Sequence, residues 1–143
     1  MTSDEIRAFC ENYVRRWERG DITGLLACYN DDCEIVSPIF NILKGRSQVE
    51  TSFLELFRAF SEFQIDINDV IVDRDRKERA VLLFTSFLTH RGEIFGVPGT
   101  GRRFEVHGVF VFTFENDRIS RDSRLYDFTG MLMQLGVLRA RTA

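Results

Sequence analysis

The chain has 143 residues, a hydrophobic fraction of 44% and a net charge of −3. This length predicts one domain, residues 1–143, that buries about 70% of the surface its unfolded chain exposes. The acidic balance argues against nucleic acid or an anionic membrane as a partner, because both require a cluster of cations.

The aromatic and cysteine content points to a soluble protein with an apolar interior. Fourteen Phe residues stand against three Tyr and one Trp, and such rings either fill a core or line an apolar cavity. Cys10, Cys28 and Cys33 have no paired spacing, which is typical of buried thiols in a reducing compartment. There is no signal-peptide-like start and no apolar run of membrane length. We therefore expect a cytoplasmic protein.

Two helices are predicted at the start of the chain. Thr2 and Glu5 have capping-box spacing, and apolar residues then recur at helical spacing until Gly20. Asp21 is suited to cap a second, shorter helix. The apolar face of that helix is predicted to consist of Ile22, Leu25, Leu26 and Tyr29.

A short strand and a third helix follow. Residues 33–38 predict the strand, with Glu34 and Val36 on one of its faces. Ser47 and Glu50 have the spacing of a second capping box. The helix that they begin has a strongly apolar stripe, formed by Val49, Phe53, Leu56, Phe57 and Phe60.

From residue 63 onward the apolar period changes to two, which predicts strands. Four are expected, over residues 63–72, 79–90, 104–114 and 118–127, with polar turns at 73–77 and 115–117. Helices come first and strands run together, which favours an α+β fold. We predict a curved antiparallel sheet that wraps around the third helix as a cone, with a pocket at its open end.

Asp127 is the first candidate for a functional residue. It stands where the last predicted strand ends, and aromatic and thioether side chains follow it. This position suits a general acid or base at the mouth of an apolar pocket. The alternative is a helix N-cap in front of residues 128–135.

His107 is a second catalytic candidate, and its role depends on which sheet face lines the pocket. On its strand it shares a face with Glu105 and Val109, opposite a face that carries four Phe residues. If the Phe face meets the helices, His107 points to solvent or to a partner subunit. If the pocket lies on the other side, His107 can face Asp127.

Candidates for substrate binding come from three elements. Trp17 and Tyr29 could line the pocket, where the Tyr29 phenol could orient a substrate carbonyl, although aromatic stripes on helices usually belong to the core. Phe57 lies on the stripe of the third helix. Met131 follows Asp127 and could form an adaptable lid over a ligand, or instead close the core or a dimer contact.

Glu34 is the remaining binding candidate, on the short strand. Its carboxylate could pair with Arg124 or share a proton with Asp127, and exposure at the surface is the alternative.

Short motifs along the chain resemble one known family by their order and spacing. They are HRGE at 90–93, FGVP at 95–98, TGR at 100–102, NDRI at 116–119 and QLG at 134–136. Together with the first helix and residues 29–32, they resemble the SnoaL-like polyketide cyclases of the nuclear transport factor 2-like superfamily. The resemblance implies a cystatin-like α+β cone.

The resemblance also implies a chemistry. Enzymes of this family close a ring by intramolecular aldol condensation without a cofactor, and an aspartate near the end of the last strand acts as general acid/base. Its distance from the NDRI turn places that role on Asp127. After the turn the family usually has an acidic residue, His and Trp, whereas this chain has Arg121, Asp122 and Ser123.

The favoured hypothesis is a cofactor-independent enzyme acting on a small hydrophobic carbonyl compound by aldol cyclisation or keto–enol isomerisation. No cofactor and no metal are expected, since the scattered histidines and acids do not form a ligand set. The alternatives are a non-catalytic lipophile-binding module, a homodimerisation module that pairs through its sheet, or an epoxide hydrolase. The last needs an Arg and an Asp on a middle strand, where residues 83–87 read LFTSF.

Overall fold

The computed structural model describes residues 1–73, 75, 78–139 and 141. The predicted turn at 73–77 therefore lies largely outside the described residues. In chain order the elements are Ser3–Arg19 (α1), Ile22–Leu26 (α2), Tyr29–Ser37 (β1), Asn41–Lys44 (β2), Gly45–Ala59 (α3), Phe60–Asp73 (β3), Arg79–His90 (β4), Arg103–Glu115 (β5), Arg118–Tyr126 (β6) and Phe128–Gln134 (α4).

The six strands form one curved, unclosed sheet in the order β2-β1-β6-β5-β4-β3. Strands β3 to β6 pair antiparallel in sequence, as the meander predicts, and β1 joins the sheet parallel to β6. Helices α1 and α3 pack on the concave face. The predicted α+β architecture is confirmed.

The first two helices are capped as their sequence predicts. Thr2 and Glu5 form a reciprocal capping box, and Gly20 ends α1 in the left-handed conformation with φ 63°. The Asp21 side chain accepts a hydrogen bond from the Gly24 amide at 2.9 Å. The predicted extent of the second helix was wrong, because Tyr29 begins β1 instead of lying on the helix face.

The segment between β1 and α3 differs from the prediction. It contains an additional edge strand, β2, whose mostly exposed residues have no alternation that could announce it. Helix α3 begins at Gly45, two residues before the predicted Ser47 cap. Its N-cap residue, Lys44, instead donates its amide to the Gln48 side chain at 2.8 Å. The predicted capping box of Ser47 and Glu50 is not the cap of this helix.

The inner face of β5 is the Phe-rich one. Phe104, Phe110, Phe112 and Phe114 are buried against the helices, and the opposite face points away from them. This outcome decides between the two orientations that the sequence leaves open for this strand.

A bulge in β6 determines which of its residues face the interior. Thr113 of β5 pairs with Arg121, whereas the next residue, Phe114, pairs with Ile119, so Ser120 is an extra residue on β6. An extra residue shifts the inward and outward alternation by one. Beyond the bulge Asp122 and Arg124 are therefore buried, and Leu125 is exposed.

Candidate functional site

An apolar cavity of about 90 Å³ lies between the concave face of the sheet and the helices. Its walls come from β3, β4, β5 and β6, from α1 and α3, and from α4 together with the turn after β1. The lining consists of Trp17, Ile39, Leu56, Phe60, Phe63, Ile65, Phe84, Ser86, Leu88, Val106, Phe110, Arg124, Tyr126 and Met131. Arg124 is the one charged side chain among these described lining residues.

Arg124 is held rigidly by an acid and by aromatic rings. Its Nε and Nη2 donate to Asp122 Oδ2 at 3.1 and 3.0 Å, and Nη2 also donates to the Tyr29 hydroxyl at 3.3 Å. The guanidinium carbon lies 5.4 Å from the ring centres of both Trp17 and Phe110, which is cation–π distance. Burial alone would lower the pKa of Arg124, but the Asp122 carboxylate holds that pKa well above its usual range. Arg124 is therefore a permanently charged group in the cavity wall.

Two polar groups of the wall are available to a ligand. The bonds of Arg124 use Nε and Nη2, so Nη1 has no hydrogen-bond partner in the described part of the chain. Ser86 of β4 is buried, and its hydroxyl likewise makes no hydrogen bond to any described residue. Neither atom is among the fully enclosed polar atoms that lack a partner. Both can therefore meet a ligand in the cavity.

Behind Arg124 a chain of buried hydroxyls ends on Asp122. The Tyr29 hydroxyl donates to Asp122 Oδ2 at 2.7 Å, and the Tyr13 and Tyr29 oxygens are 2.6 Å apart. Since the Tyr29 proton is used on Asp122, Tyr13 donates to Tyr29. Burial, followed by the charge of Asp122, raises the pKa of both phenols. They are therefore neutral hydrogen-bond donors.

Two enclosed atoms of this cluster remain unsatisfied within the described residues. Asp122 Oδ1 and Trp17 Nε1 are fully buried and make no hydrogen bond. The Trp17 N–H lies near the Tyr13 hydroxyl, but without the geometry of a hydrogen bond. Its small effect lowers the pKa of Tyr13, against the larger effect of burial. Buried unpaired polar atoms are uncommon in folded proteins and often occur at functional sites.

Asp127 has the geometry of a helix N-cap. Its Oδ1 accepts a hydrogen bond from the Gly130 amide at 2.9 Å at the start of α4. The side chain is exposed and is not part of the cavity lining, although Tyr126 and Met131 on either side of it are. The capping alternative is thus observed, and a catalytic role for Asp127 stays a prediction.

His107 and Glu34 lie away from the cavity. His107 is exposed on the outer face of the sheet, with Nε2 3.5 Å from Glu105 and Nδ1 3.1 Å from the Thr85 hydroxyl. Glu34 pairs with Arg121 at 2.7 Å, and not with Arg124 as the sequence had suggested as one option. Neither residue lines the cavity, so their predicted site roles receive no geometric support.

The predicted aromatic and thioether residues lie in or beside the wall. Trp17 and Met131 line the cavity directly. Tyr29 is fully buried one step behind, where it holds Arg124 and Asp122. Phe57 packs its ring against Trp17 at 5.4 Å between ring centres and supports the wall from outside the lining.

Asp122, Arg124 and Ser86 are the residues that the sequence did not single out as a site. A charged pair at i and i+2 of a strand places both side chains on one face, which is the signal that could have indicated a buried ion pair. The bulge at Ser120 hides which face this is.

Other classes of site have little support in the described residues. No group of three or more His, Cys, Asp or Glu side chains among them is placed to hold a metal ion. Cys10, Cys28 and Cys33 are buried free thiols, as predicted, and burial raises the pKa of Cys10 to about 12. Within the described ranges no helix is sufficiently long and apolar to span a bilayer.

A curved, unclosed α+β sheet with an apolar cavity on its concave face is the architecture of the nuclear transport factor 2-like fold. The sequence matches the SnoaL-like polyketide cyclase family over residues 8–135, and the chain belongs to that family. No curated protein matches the sequence.

Solved structures share this fold. AclR from Streptomyces galilaeus is 24% identical with a TM-score of 0.84, and the match covers 97% of this chain and 89% of AclR. TsrD from Streptomyces laurentii is 22% identical with a TM-score of 0.82, over 96% and 99% of the two chains. A SnoaL-like protein from Jannaschia sp. CCS1 is 17% identical with a TM-score of 0.74, over 90% and 92%. At these identities the likeness concerns the fold alone.

Proposed function

We propose that the protein is a cofactor-independent acid/base enzyme that acts on a small hydrophobic carbonyl compound bound in the cavity. A C–H bond beside the carbonyl breaks, and its proton passes to a basic group. The enolate oxygen then takes up a proton, which gives the enol, or the enolate carbon attacks a second carbonyl carbon, whose oxygen takes up the proton as the new C–C bond forms. These are keto–enol isomerisation and aldol cyclisation, respectively.

The observation that carries this proposal is the free Nη1 of Arg124 in an otherwise apolar wall. A hydrogen-bond donor that is fixed in advance and carries charge stabilises an enolate oxygen more than the carbonyl oxygen from which it forms. The ion pair and the rings around Arg124 fix it before the substrate binds. The predicted proton acceptor is Asp127, beside the lining residue Tyr126.

The cavity volume limits the substrate. A cavity of about 90 Å³ is smaller than the roughly 150 Å³ cavity known to take up benzene. A ligand that it encloses is therefore no larger than about one ring, unless part of the molecule extends through the mouth or α4 moves.

Deuterium incorporation into small ketones in D₂O tests the proposal without knowledge of the natural substrate. We expect the protein to speed exchange of the protons next to the carbonyl, followed by NMR. Arg124→Gln should lower this rate at least about 100-fold, as expected for loss of one oxyanion donor. Arg121→Gln, an exposed position on the same strand, is the matched control and should keep the rate.

The same assay separates catalysis by Asp127 from helix capping. Asp21 and Asp127 are matched caps, each accepting from the glycine amide three residues later at 2.9 Å. Asparagine caps helices about as well as aspartate, so both Asp→Asn variants should stay folded. If Asp127 is the base, only Asp127→Asn loses exchange. Equal activity of the two variants would remove Asp127 from the mechanism.

A non-catalytic binding module is the second candidate, and one observation favours it. The described residues that line the cavity include no carboxylate and no histidine, so a base would have to act from the mouth. Binding of ketones without any deuterium exchange would support this alternative over the enzyme.

We also propose that the protein forms a homodimer through the outer face of the sheet. Leu125 is 63% exposed there, and it lies across from Val109, which in turn pairs with Leu83. An apolar patch spread over neighbouring strands is typical of an interaction surface.

The expected cytoplasmic location also stays a prediction.

A further inference from the structure

The charge balance of the cavity is set by one residue that does not line it. Asp122 is fully buried behind Arg124, and the two form an ion pair at 3.0 Å. We propose that Asp122 determines the charge selectivity of the cavity, so that uncharged carbonyl compounds bind and carboxylates of the same shape are excluded. This inference rests on the proposed function, because it assumes that the cavity binds carbonyl compounds.

The geometry of Arg124 favours a single ligand oxygen over a carboxylate. An unpaired guanidinium binds a carboxylate through two parallel N–H donors. In Arg124 the edge formed by Nε and Nη2 is occupied by Asp122 Oδ2, and Nη2 also donates to Tyr29. Only Nη1 remains for a ligand. One nitrogen suits a single carbonyl oxygen and cannot form the two-nitrogen fork that a carboxylate prefers.

The charges of the site also disfavour a carboxylate. The Arg124 and Asp122 charges cancel, so a neutral ligand leaves the buried site neutral. A carboxylate would add a negative charge close to Asp122, and the described lining residues offer no second cation. An uncompensated charge in an apolar site is strongly unfavourable. A carbonyl oxygen avoids this penalty and acquires negative charge only as the enolate forms.

Asp122 can affect a ligand in the cavity only through Arg124, because it is enclosed behind that residue. Its Oδ2 accepts three hydrogen bonds, one from Tyr29 and two from Arg124, and Oδ1 is fully enclosed without a partner in the described residues. No ligand in the cavity can reach it in this conformation. Asp122 is therefore a specificity-determining residue and not a catalytic one.

Binding of matched neutral and anionic ligands tests the inference. Pentan-2-one and butyrate are one pair, and acetophenone and benzoate are another, since in each pair a methyl group replaces one carboxylate oxygen. At neutral pH the wild-type protein should bind each ketone at least about tenfold more tightly than its matched acid, measured by calorimetry or ligand-observed NMR.

Asp122→Asn should reverse this preference. With Arg124 no longer neutralised, carboxylate affinity should rise at least about tenfold and exceed that of the ketone. Asp66→Asn is the control, because Asp66 is exposed on β3 and its loss removes the same charge elsewhere. The control should stay within about twofold of the wild-type affinities, since exposed charges have weak effects.

The outcomes are distinct. Wild-type protein that binds ketones and acids equally, or acids more tightly, overturns the inference while leaving the cavity as a ligand site. Failure of every ketone and acid to bind overturns the proposed function itself. A folded Asp122→Asn variant that still prefers ketones overturns the inference, and if this variant does not fold in buffer alone, the ligands that restore its folding decide. Recovery of its folding by benzoate but not by acetophenone would support the inference as well.

Discussion

Arg124 and Asp122 form a buried pair whose stability depends on the hydroxyls around it. Such a pair has to offset the cost of removing two charges from water. Asp122 Oδ2 accepts from Tyr29 as well as from Arg124, and Tyr29 in turn accepts from Tyr13. Tyr29 is thus the one residue in the cluster that contacts both charges and the second phenol.

Replacing Tyr29 with Phe should destabilise the protein more than replacing Tyr13. Tyr29→Phe removes a donor from a buried carboxylate, which costs about 1–3 kcal/mol. Tyr13→Phe leaves Tyr29 with its Arg124 donor and should cost about 1 kcal/mol or less. Urea unfolding of both variants provides the comparison.

The two Phe variants lose the same atom from equally buried rings, so each is the other's control. Equal losses of unfolding free energy would show that the Tyr29 bond to Asp122 adds nothing beyond an ordinary buried hydroxyl.

The sequence indicated two residues of the cavity wall, Trp17 and Met131, but not the buried charges of Arg124 and Asp122. Trp17 follows from the helical spacing of apolar residues on α1, and Met131 was singled out by its position after Asp127. The inward position of Arg124 depends on the bulge at Ser120. Strict alternation from the buried Ile119 would have turned Leu125 and Asp127 inward instead, and a one-residue bulge leaves no clear mark in the sequence.

Helix α4 is the element that closes the cavity beside Met131. It has seven residues, too few for stability without tertiary contacts. The Gln134 side chain forms two hydrogen bonds with the backbone of Glu105, at 2.8 and 3.1 Å, where β5 extends beyond the end of β6. Arg102 donates to the Gln134 carbonyl at 3.0 Å. Gln134 therefore anchors α4 to the sheet.

Gln134→Ala should loosen α4 without unfolding the domain. Loss of two hydrogen bonds of about 1 kcal/mol each predicts at least about tenfold faster amide hydrogen exchange at Met131 and Leu135, whose amides bond within this segment. Gln48→Ala is the control, because Gln48 ties down the start of α3. Unchanged exchange in α4 would mean that the Gln134 side chain is not needed to hold the helix, and that the Arg102 hydrogen bond and the packing of Leu135 and Met131 suffice.

Elements with strong periodicity were predicted well, and short ones were not. Strand β4 has its predicted bounds, because alternation over twelve residues is unambiguous. Strand β2 is defined by its antiparallel pairing with β1, which runs from the Glu34–Lys44 pair to the Ser37–Asn41 pair. Tertiary pairing rather than local preference creates this strand, so no local pattern could predict it.

The two faces of the sheet differ in apolar content. The concave face carries the buried Phe residues and the cavity. The outer face carries Ile71, Val81, Leu83, Val109, Val111 and Leu125, which are exposed or half-buried on neighbouring strands. One end of this face is polar, with His107, Glu105 and Thr85. An apolar centre beside a polar margin is typical of a protein–protein interface.

A lysine at position 125 should separate the proposed dimer. Leu125 is 63% exposed in the single chain and lies next to Val109 at the centre of the outer face. In a dimer Leu125→Lys would bury an unpaired charge, whereas in a monomer the lysine would stay in water. Sedimentation at micromolar concentration should give a dimer for the wild type and a monomer for Leu125→Lys. Leu54→Lys is the control, because Leu54 is 54% exposed on α3, away from this face. A wild-type monomer, or equal dissociation by both lysines, would contradict pairing through the sheet.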